Sequence, residues 1–153
     1  MNLFPWQKKK EFFSAEEKQL IADAIREAEK MTSGEVRLFV ESRCSYVNPI
    51  DRATELFFQL KMGNTELRNA VLVYIAINDR QLAIFGDEGI HQKVGQEYWN
   101  NEVQKLLQRF NKKNYAEGIK EVILDIGEAL TKHFPFNKKT DRNELPDEIV
   151  FGI

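Results

Sequence analysis

The first regular pattern of apolar residues begins after residue 13 and has helical spacing. Ser14 and Glu17 form a capping box, in which the serine hydroxyl accepts a hydrogen bond from a first-turn amide and the glutamate reaches back. Apolar residues then recur at helical intervals, namely Leu20, Ile21, Ala24, Ile25 and Ala28. The pattern predicts a helix from Ser14 to about Lys30 that stops before Gly34.

Three later segments have strand patterns. Residues 35–43 alternate between apolar and polar positions, which predicts a strand that is less buried than the next one. Residues 70–77 form an uninterrupted apolar run rich in β-branched residues, which is typical of a central strand buried on both faces. Residues 81–85 follow the short polar segment 78–80 and are predicted to be the hairpin partner of that strand.

Helical patterns fill the remaining parts of the chain. Pro49 and Asp51 suit the start of a helix that ends at Gly63, residues 92–110 indicate helical segments, and residues 115–133 form a strong helix. A strand–helix–strand connection is normally a right-handed parallel crossover, and a strand buried on both faces needs helices on both sides. The sequence therefore predicts an α/β fold, a three-layer α/β/α sandwich around a small mixed β-sheet.

One domain with two flanking segments accounts for the whole chain. Residues 1–13 are interpreted as an N-terminal arm that packs Trp6, Phe12 and Phe13 on the body, and residues 14–134 as the α/β domain. Residues 135–153 are a polar tail, whose apolar end at 149–153 either docks on the domain or stays free.

Composition limits the possible functions. The 153 residues include 24 acids and 22 bases, a formal net charge of -2, which argues against a general nucleic-acid or membrane-surface binder. One cysteine and two histidines disfavour a disulfide, a thiolate-rich metal site and a histidine-built one. Any bound metal ion would therefore have oxygen ligands.

Targeting signals are not evident. No apolar run is long enough for a signal-peptide core or a membrane span, so no membrane insertion is expected. The single Cys44 suits a reducing compartment, and the expected location is the cytoplasm.

Acidic and amide side chains are expected to converge at one end of the sheet. If the first two strands are parallel and the third is antiparallel, the loops 32–35, 66–69 and 86–89 meet there. This brings together Glu35, Glu66, Asn69, Asp87 and Glu88 as candidate metal ligands. Calcium takes about 6–8 oxygen ligands of these kinds. The alternative is that residues 86–89 form an ordinary solvated strand end.

The opposite end of the sheet also carries charged residues. Glu41, Arg43, Asp51, Asp79 and Arg80 are predicted to lie there. Asp79 and Arg80 are interpreted as a hairpin turn with its charges in water, and any carboxylate–arginine pair as a surface ion pair.

Three segments together resemble the TPM domain family. They are Thr32–Val40, which resembles its first strand, Arg68–Arg80, which resembles its Asp-Asn-Gly strand and hairpin, and Phe85–Ile90, which resembles its Gly-x-Gly ending. The resemblance covers roughly residues 14–133. The family includes a thylakoid-lumen protein of photosystem II repair, a nematode receptor-accessory protein and many bacterial envelope proteins.

The resemblance implies an α/β/α sandwich, divalent-cation binding at the acidic end of the sheet, and the acid-phosphatase activity reported for a plant member. The family positions match Glu35, Asn69, Asp87 and Glu88. This chain departs from the family twice. Arg68 replaces the usual acidic residue before the asparagine, and Ala70 replaces the glycine after it.

Three functions are consistent with these patterns. The leading hypothesis is a domain that binds calcium or another hard divalent cation through the four matching residues, with a regulatory or assembly role. The second is a metal-assisted phosphomonoesterase in which Arg68 binds the phosphoryl oxygens. The third is a non-enzymatic adaptor that docks on a protein partner through its surface or its tail.

Overall fold

The computed structural model describes residues 12–111, 114–136 and 149–152. Within these ranges, five helices and four strands alternate as in an α/β fold. In chain order they are α1 (Ala15–Glu29), β1 (Glu35–Glu41), α2 (Pro49–Gln59), β2 (Ala70–Ala76), β3 (Gln81–Gly86), α3 (Glu88–Val94), α4 (Gln96–Asn111), α5 (Tyr115–His133) and β4 (Ile149–Phe151).

The strands form one mixed sheet in the order β3-β2-β1-β4. Strand β1 runs parallel to both β2 and β4, whereas β3 returns antiparallel to β2. Helix α2 makes the crossover from β1 to β2. This confirms the predicted parallel pair and its hairpin.

Helices cover both faces of the sheet, which confirms the three-layer sandwich. On one face, Phe57 and Leu56 of α2 pack with Leu72 and Tyr74 of β2. On the other face, α1, α4 and α5 pack on the alternate side chains of the strands, including Leu38 of β1. The two apolar layers are separated by the sheet itself, as the alternation of side chains along a strand requires.

The N-terminal part of the domain forms as predicted. Ser14 caps α1, since its hydroxyl accepts from the Glu17 amide and the Glu17 carboxylate accepts from the Ser14 amide. Phe13 is buried and Phe12 packs against the same core. Trp6 lies outside the described residues.

The prediction that β1 is less buried than β2 is correct, but by a small margin only. All seven residues of each strand are buried. Strand β4 pairs with the outer edge of β1, and the polar side chains of β1 are also covered. The alternation in this strand therefore does not mark a solvent-facing side.

One segment differs from the prediction, and another takes one of its two predicted alternatives. Residues 86–89 are not a loop, because Asp87 is the N-cap of α3 and Glu88 is its first residue. The apolar end of the tail is docked as β4. Residues 137–148 of the tail lie outside the described residues. Among those that are described, no helix is both long and apolar enough to cross a membrane.

Candidate functional site

The starts of β1 and β2 and the end of β3 lie at one edge of the sheet, here called the acidic edge (residues 32–35, 65–70 and 86–89). Glu35 is paired in register with Ala70. The Asp87 amide donates to the Ala70 carbonyl at 2.9 Å, which continues the β2–β3 ladder by one residue. The three segments that were predicted to converge therefore do so.

Glu35 and Asp87 lie on the same face of the sheet, on either side of Ala70. Ala70 belongs to the core on the α2 side, and the alternation along β1 and β3 places Glu35 and Asp87 on that side too. Both acids are buried. Their Cα atoms are two strand spacings apart, about 10 Å, with only the small Ala70 side chain between them.

Arg68 neutralises the buried carboxylate of Asp87. Its Nε donates to Oδ2 at 2.7 Å and its Nη2 to Oδ1 at 2.8 Å, a bidentate ion pair. Oδ1 also accepts from the Glu88 amide at 2.7 Å, which caps α3. The hydrogen bonds and charge of Asp87 raise the pKa of the Arg68 guanidinium.

Asn69 is buried just before β2, with 1% of its surface exposed. Its amide nitrogen donates to the Ser33 hydroxyl at 3.2 Å, which ties the loop before β2 to the loop before β1. Its carbonyl oxygen has no hydrogen-bond partner in the described part of the chain, and neither has the buried hydroxyl of Thr65 in the same loop. Two oxygen atoms at this edge are thus left unsatisfied.

Glu88 and His91 lie at the rim, on α3. Glu88 is exposed and accepts from the Gln92 side chain at 3.3 Å. His91 is half-buried and its Nδ1 accepts from the Trp99 indole at 3.0 Å. His91 therefore has a structural contact, and its partner Trp99 is part of the core.

The start of α3 is held tightly against the loop before β2. The Gly89 amide donates to the Arg68 carbonyl at 2.8 Å. A Cβ atom at Gly89 would lie 2.1 Å from the Leu67 carbonyl oxygen, so only glycine permits this approach. The contact fixes Arg68 and Asp87 relative to each other.

The donor atoms suit a hard cation, although they are not gathered around a single point. Carboxylate and amide oxygens are the ligands that calcium prefers. Across the ranges the structure describes, no group of three or more His, Cys, Asp or Glu residues is arranged to hold a metal ion. The reasons are visible here, because Ala70 separates Glu35 from Asp87, Arg68 covers Asp87, and Glu88 is directed to the rim by its place on α3.

The sequence patterns did not predict a buried charged group at the other end of the sheet. Glu41, predicted to form at most a surface ion pair, is buried and accepts from Arg52 Nε and Nη2 at 3.0 and 3.1 Å. It also accepts from the Tyr74 hydroxyl. The signal for it is Tyr74 itself, since a polar group within an apolar central strand needs a partner.

The hairpin end is only partly as expected. Arg80 is exposed at the turn, with a φ of 51°. The Asp79 carboxylate, however, accepts from the Cys44 amide at 2.8 Å and so joins the turn to the end of β1. Cys44 is half-buried.

Several proteins of known structure share this fold. The solution structure of the BA42 protein from the psychrophilic bacterium Bizionia argentinensis is 42% identical, with a TM-score of 0.85, and the match covers 95% of this chain and 99% of that one. The N-terminal domain of the cg2496 protein from Corynebacterium glutamicum is 12% identical over 85% of this chain and 86% of its own, with a TM-score of 0.62. The N-terminal domain of a P. gingivalis protein is 17% identical over 82% of each chain, with a TM-score of 0.63.

The last two likenesses show the fold alone. A search of proteins with curated descriptions gave no match. The sequence profile of the TPM domain matches residues 7–129, which is most of the chain. Together with the shared fold and the converging segments at the acidic edge, this match shows that the chain belongs to the TPM domain family.

Proposed function

We propose that this TPM domain binds calcium, or another hard divalent cation, at the acidic edge. The observation that carries the proposal is the Asn69 carbonyl oxygen, which is buried and has no partner among the described residues, at an edge that also holds two buried carboxylates. A buried acceptor without a donor costs free energy, and a bound cation is one partner that would satisfy it.

The proposed ligands are Glu35, Asn69, Asp87 and Glu88. Glu35 and Asp87 supply carboxylates from either side of Ala70, and Asn69 supplies an amide carbonyl from the loop just before β2. Glu88 supplies an exposed carboxylate at the rim. A cation at this edge would join segments that come from three strands. Binding would therefore stabilise the fold by mass action.

Calcium titration of the intact chain is the direct test. We expect saturable binding in calorimetry, together with shifts of the backbone amide NMR signals at Glu35, Asn69 and Asp87. We expect a rise in the midpoint of thermal unfolding with calcium concentration, because only the folded chain presents the site. Magnesium in the same titration tests which hard cation the edge prefers.

Asp87→Asn is the sharpest variant for this site. Asparagine retains the oxygen that caps α3 but lacks the negative charge, so folding is preserved while calcium affinity falls by about tenfold or more. Asp51→Asn is the matched control, because Asp51 is an exposed carboxylate in the first turn of α2, at the opposite end of the sheet. Equal calcium affinity in the two variants and the wild type would rule out the acidic edge.

The other two hypotheses stay predictions. The phosphomonoesterase would use Arg68 to bind phosphoryl oxygens, but two of its guanidinium nitrogens are already bonded to Asp87. The adaptor is compatible with ion binding, and the exposed Phe58 and Leu67 beside the edge would suit a docking surface. The cytoplasmic location is also still a prediction, which cell fractionation would test.

A further inference from the structure

Arg68 lies at the acidic edge, directly before the buried Asn69. Its guanidinium holds both oxygens of Asp87, at 2.7 and 2.8 Å. A divalent cation at the acidic edge would need the same oxygens. The Arg68 guanidinium and a bound divalent cation would therefore compete for the same carboxylate.

The two partners of this ion pair differ in how easily they can move. The Asp87 side chain is 3% exposed and is held by its bond to the Glu88 amide, whereas the Arg68 side chain is 45% exposed. A buried carboxylate cannot leave for solvent, whereas a half-exposed guanidinium can rotate into water, where its charge is hydrated. Arg68 is thus the mobile partner.

The Arg68 backbone is fixed while its side chain is not. It has a φ of 53°, a left-handed conformation that is uncommon outside glycine, and its carbonyl accepts from the Gly89 amide. The contact of Gly89 with this loop leaves no space for the backbone to shift inwards. Release of the guanidinium therefore requires only side-chain rotation.

We infer that Arg68 is a built-in competitor of the cation, which covers Asp87 in the metal-free protein and is released into solvent when the ion binds. The inference rests on the proposed cation site. Because a bidentate pair with a charged acceptor is among the stronger hydrogen-bonded contacts, its loss on binding lowers the apparent affinity by about tenfold or more.

Replacement of Arg68 in the full chain tests this competition. Arg68→Gln removes the charge, Arg68→Lys keeps the charge without the planar fork, and Arg80→Gln is the matched control. Arg80 is an exposed arginine with a φ of 51°, in the β2–β3 turn at the other end of the sheet. Each Gln variant removes one positive charge from a similar backbone conformation, so only Arg68→Gln changes the contact with Asp87.

We expect calorimetric calcium affinity to rise by about tenfold or more in Arg68→Gln, to rise less in Arg68→Lys and to stay at the wild-type value in Arg80→Gln. In wild type, the Arg68 Nε–H NMR signal should shift to its solvent-exposed position as calcium saturates. Binding that appears only after Arg68 is replaced would also support the inference. If Arg68→Gln does not fold, Arg68→Lys and the Nε–H signal decide.

Two results would overturn the inference that Arg68 competes with the cation, and they differ in what they imply for the proposed function. Equal calcium affinity in wild type, Arg68→Gln and Arg68→Lys, with an unchanged Nε–H signal, refutes competition but leaves the cation site intact. No saturable binding by any folded variant at millimolar calcium refutes both proposals.

Discussion

One buried carboxylate at each end of the sheet is neutralised by an arginine of the chain. Asp87 is bonded to Arg68, 19 residues earlier, and Glu41 to Arg52, 11 residues later. Both pairs are bidentate, a geometry that lysine cannot reproduce. The Glu41 pair differs in one respect, because the Glu41 carboxylate also accepts a hydrogen bond from the hydroxyl of the buried Tyr74. Burial and the bond to Glu41 raise the pKa of Tyr74.

Replacing Glu41 should destabilise the fold strongly. Glu41→Gln removes the charge that pairs with Arg52 and weakens the acceptor for Tyr74, so the free energy of unfolding should fall by about 2–4 kcal/mol. Tyr74→Phe removes only one hydrogen bond and should cost about 1–2 kcal/mol. Urea unfolding of the purified variants measures both values.

Glu55→Gln provides the control for this group. Glu55 is the second carboxylate near Arg52, at 3.7 Å, but it is far less buried than Glu41, so its loss should cost less than about 1 kcal/mol. If Glu41→Gln is no more costly than Glu55→Gln, the buried pair does not stabilise the sheet.

Helices α3, α4 and α5 show how an element boundary depends on one residue. Gly95, with a φ of 81°, ends α3 and lets the chain turn into α4.

Along the contact of α4 with α5, Lys105 lies 3.3 Å from the Glu102 carboxylate and 3.0 Å from that of Asp125. Burial and the Asp125 charge raise the pKa of Glu102 to about 7, and Lys105 only partly offsets this.

This contact should make the stability of the domain depend on pH. A carboxyl group with a higher pKa in the folded state binds more protons when folded. The contribution of Glu102 to the free energy of unfolding is therefore greatest below the unfolded pKa of about 4.3 and is lost as the pH rises through about 7. We expect a fall of about 1–3 kcal/mol between about pH 5 and pH 8, measured by urea unfolding, and Glu102→Gln should lose most of it.

The comparison between the wild type and Glu102→Gln isolates the effect of Glu102. His91 and His133 are present in both, so their contribution cancels in the difference. Parallel curves of stability against pH for wild type and Glu102→Gln would show that the α4–α5 contact is not the source.

At the scale of the whole molecule, the C-terminal tail adds a strand to the sheet and packs against the rest of the domain. Phe136 donates to the Met31 carbonyl at 2.9 Å, so the start of the tail runs beside the loop that enters β1. Strand β4 then pairs with the outer edge of β1, and the Phe151 ring stacks on Phe12 at 6.3 Å. The tail thus contacts the domain at both of its described segments.

Removal of residues 149–153 should weaken the domain. The deletion exposes one edge of β1 and the apolar surface under Ile149 and Val150, so the free energy of unfolding should fall by about 2–4 kcal/mol. Hydrogen exchange should rise at residues 38–40. Phe151→Ala is the control, with an expected cost of about 1 kcal/mol, since that side chain is largely exposed. A truncated chain as stable as the wild type would contradict this role of β4.

Local signals predicted most of the fold. The capping box of Ser14, the helical spacing of α5 and the apolar run of β2 each depend on neighbours within a few residues, so the sequence alone determined them. The converging strand ends were also predictable, because handedness and hairpin geometry leave few topologies. The full burial of β1 was not, since it depends on β4, more than 100 residues away in the chain.

The candidate site divides in the same way. The sequence determined which oxygen-bearing residues reach the acidic edge, since strand order alone brings Glu35, Asn69 and Asp87 there. Only the tertiary structure decided that Arg68 covers Asp87 and that Ala70 separates the two carboxylates. Side-chain pairing depends on distances of a few ångströms between segments far apart in the chain, and residue types and spacing do not specify such distances.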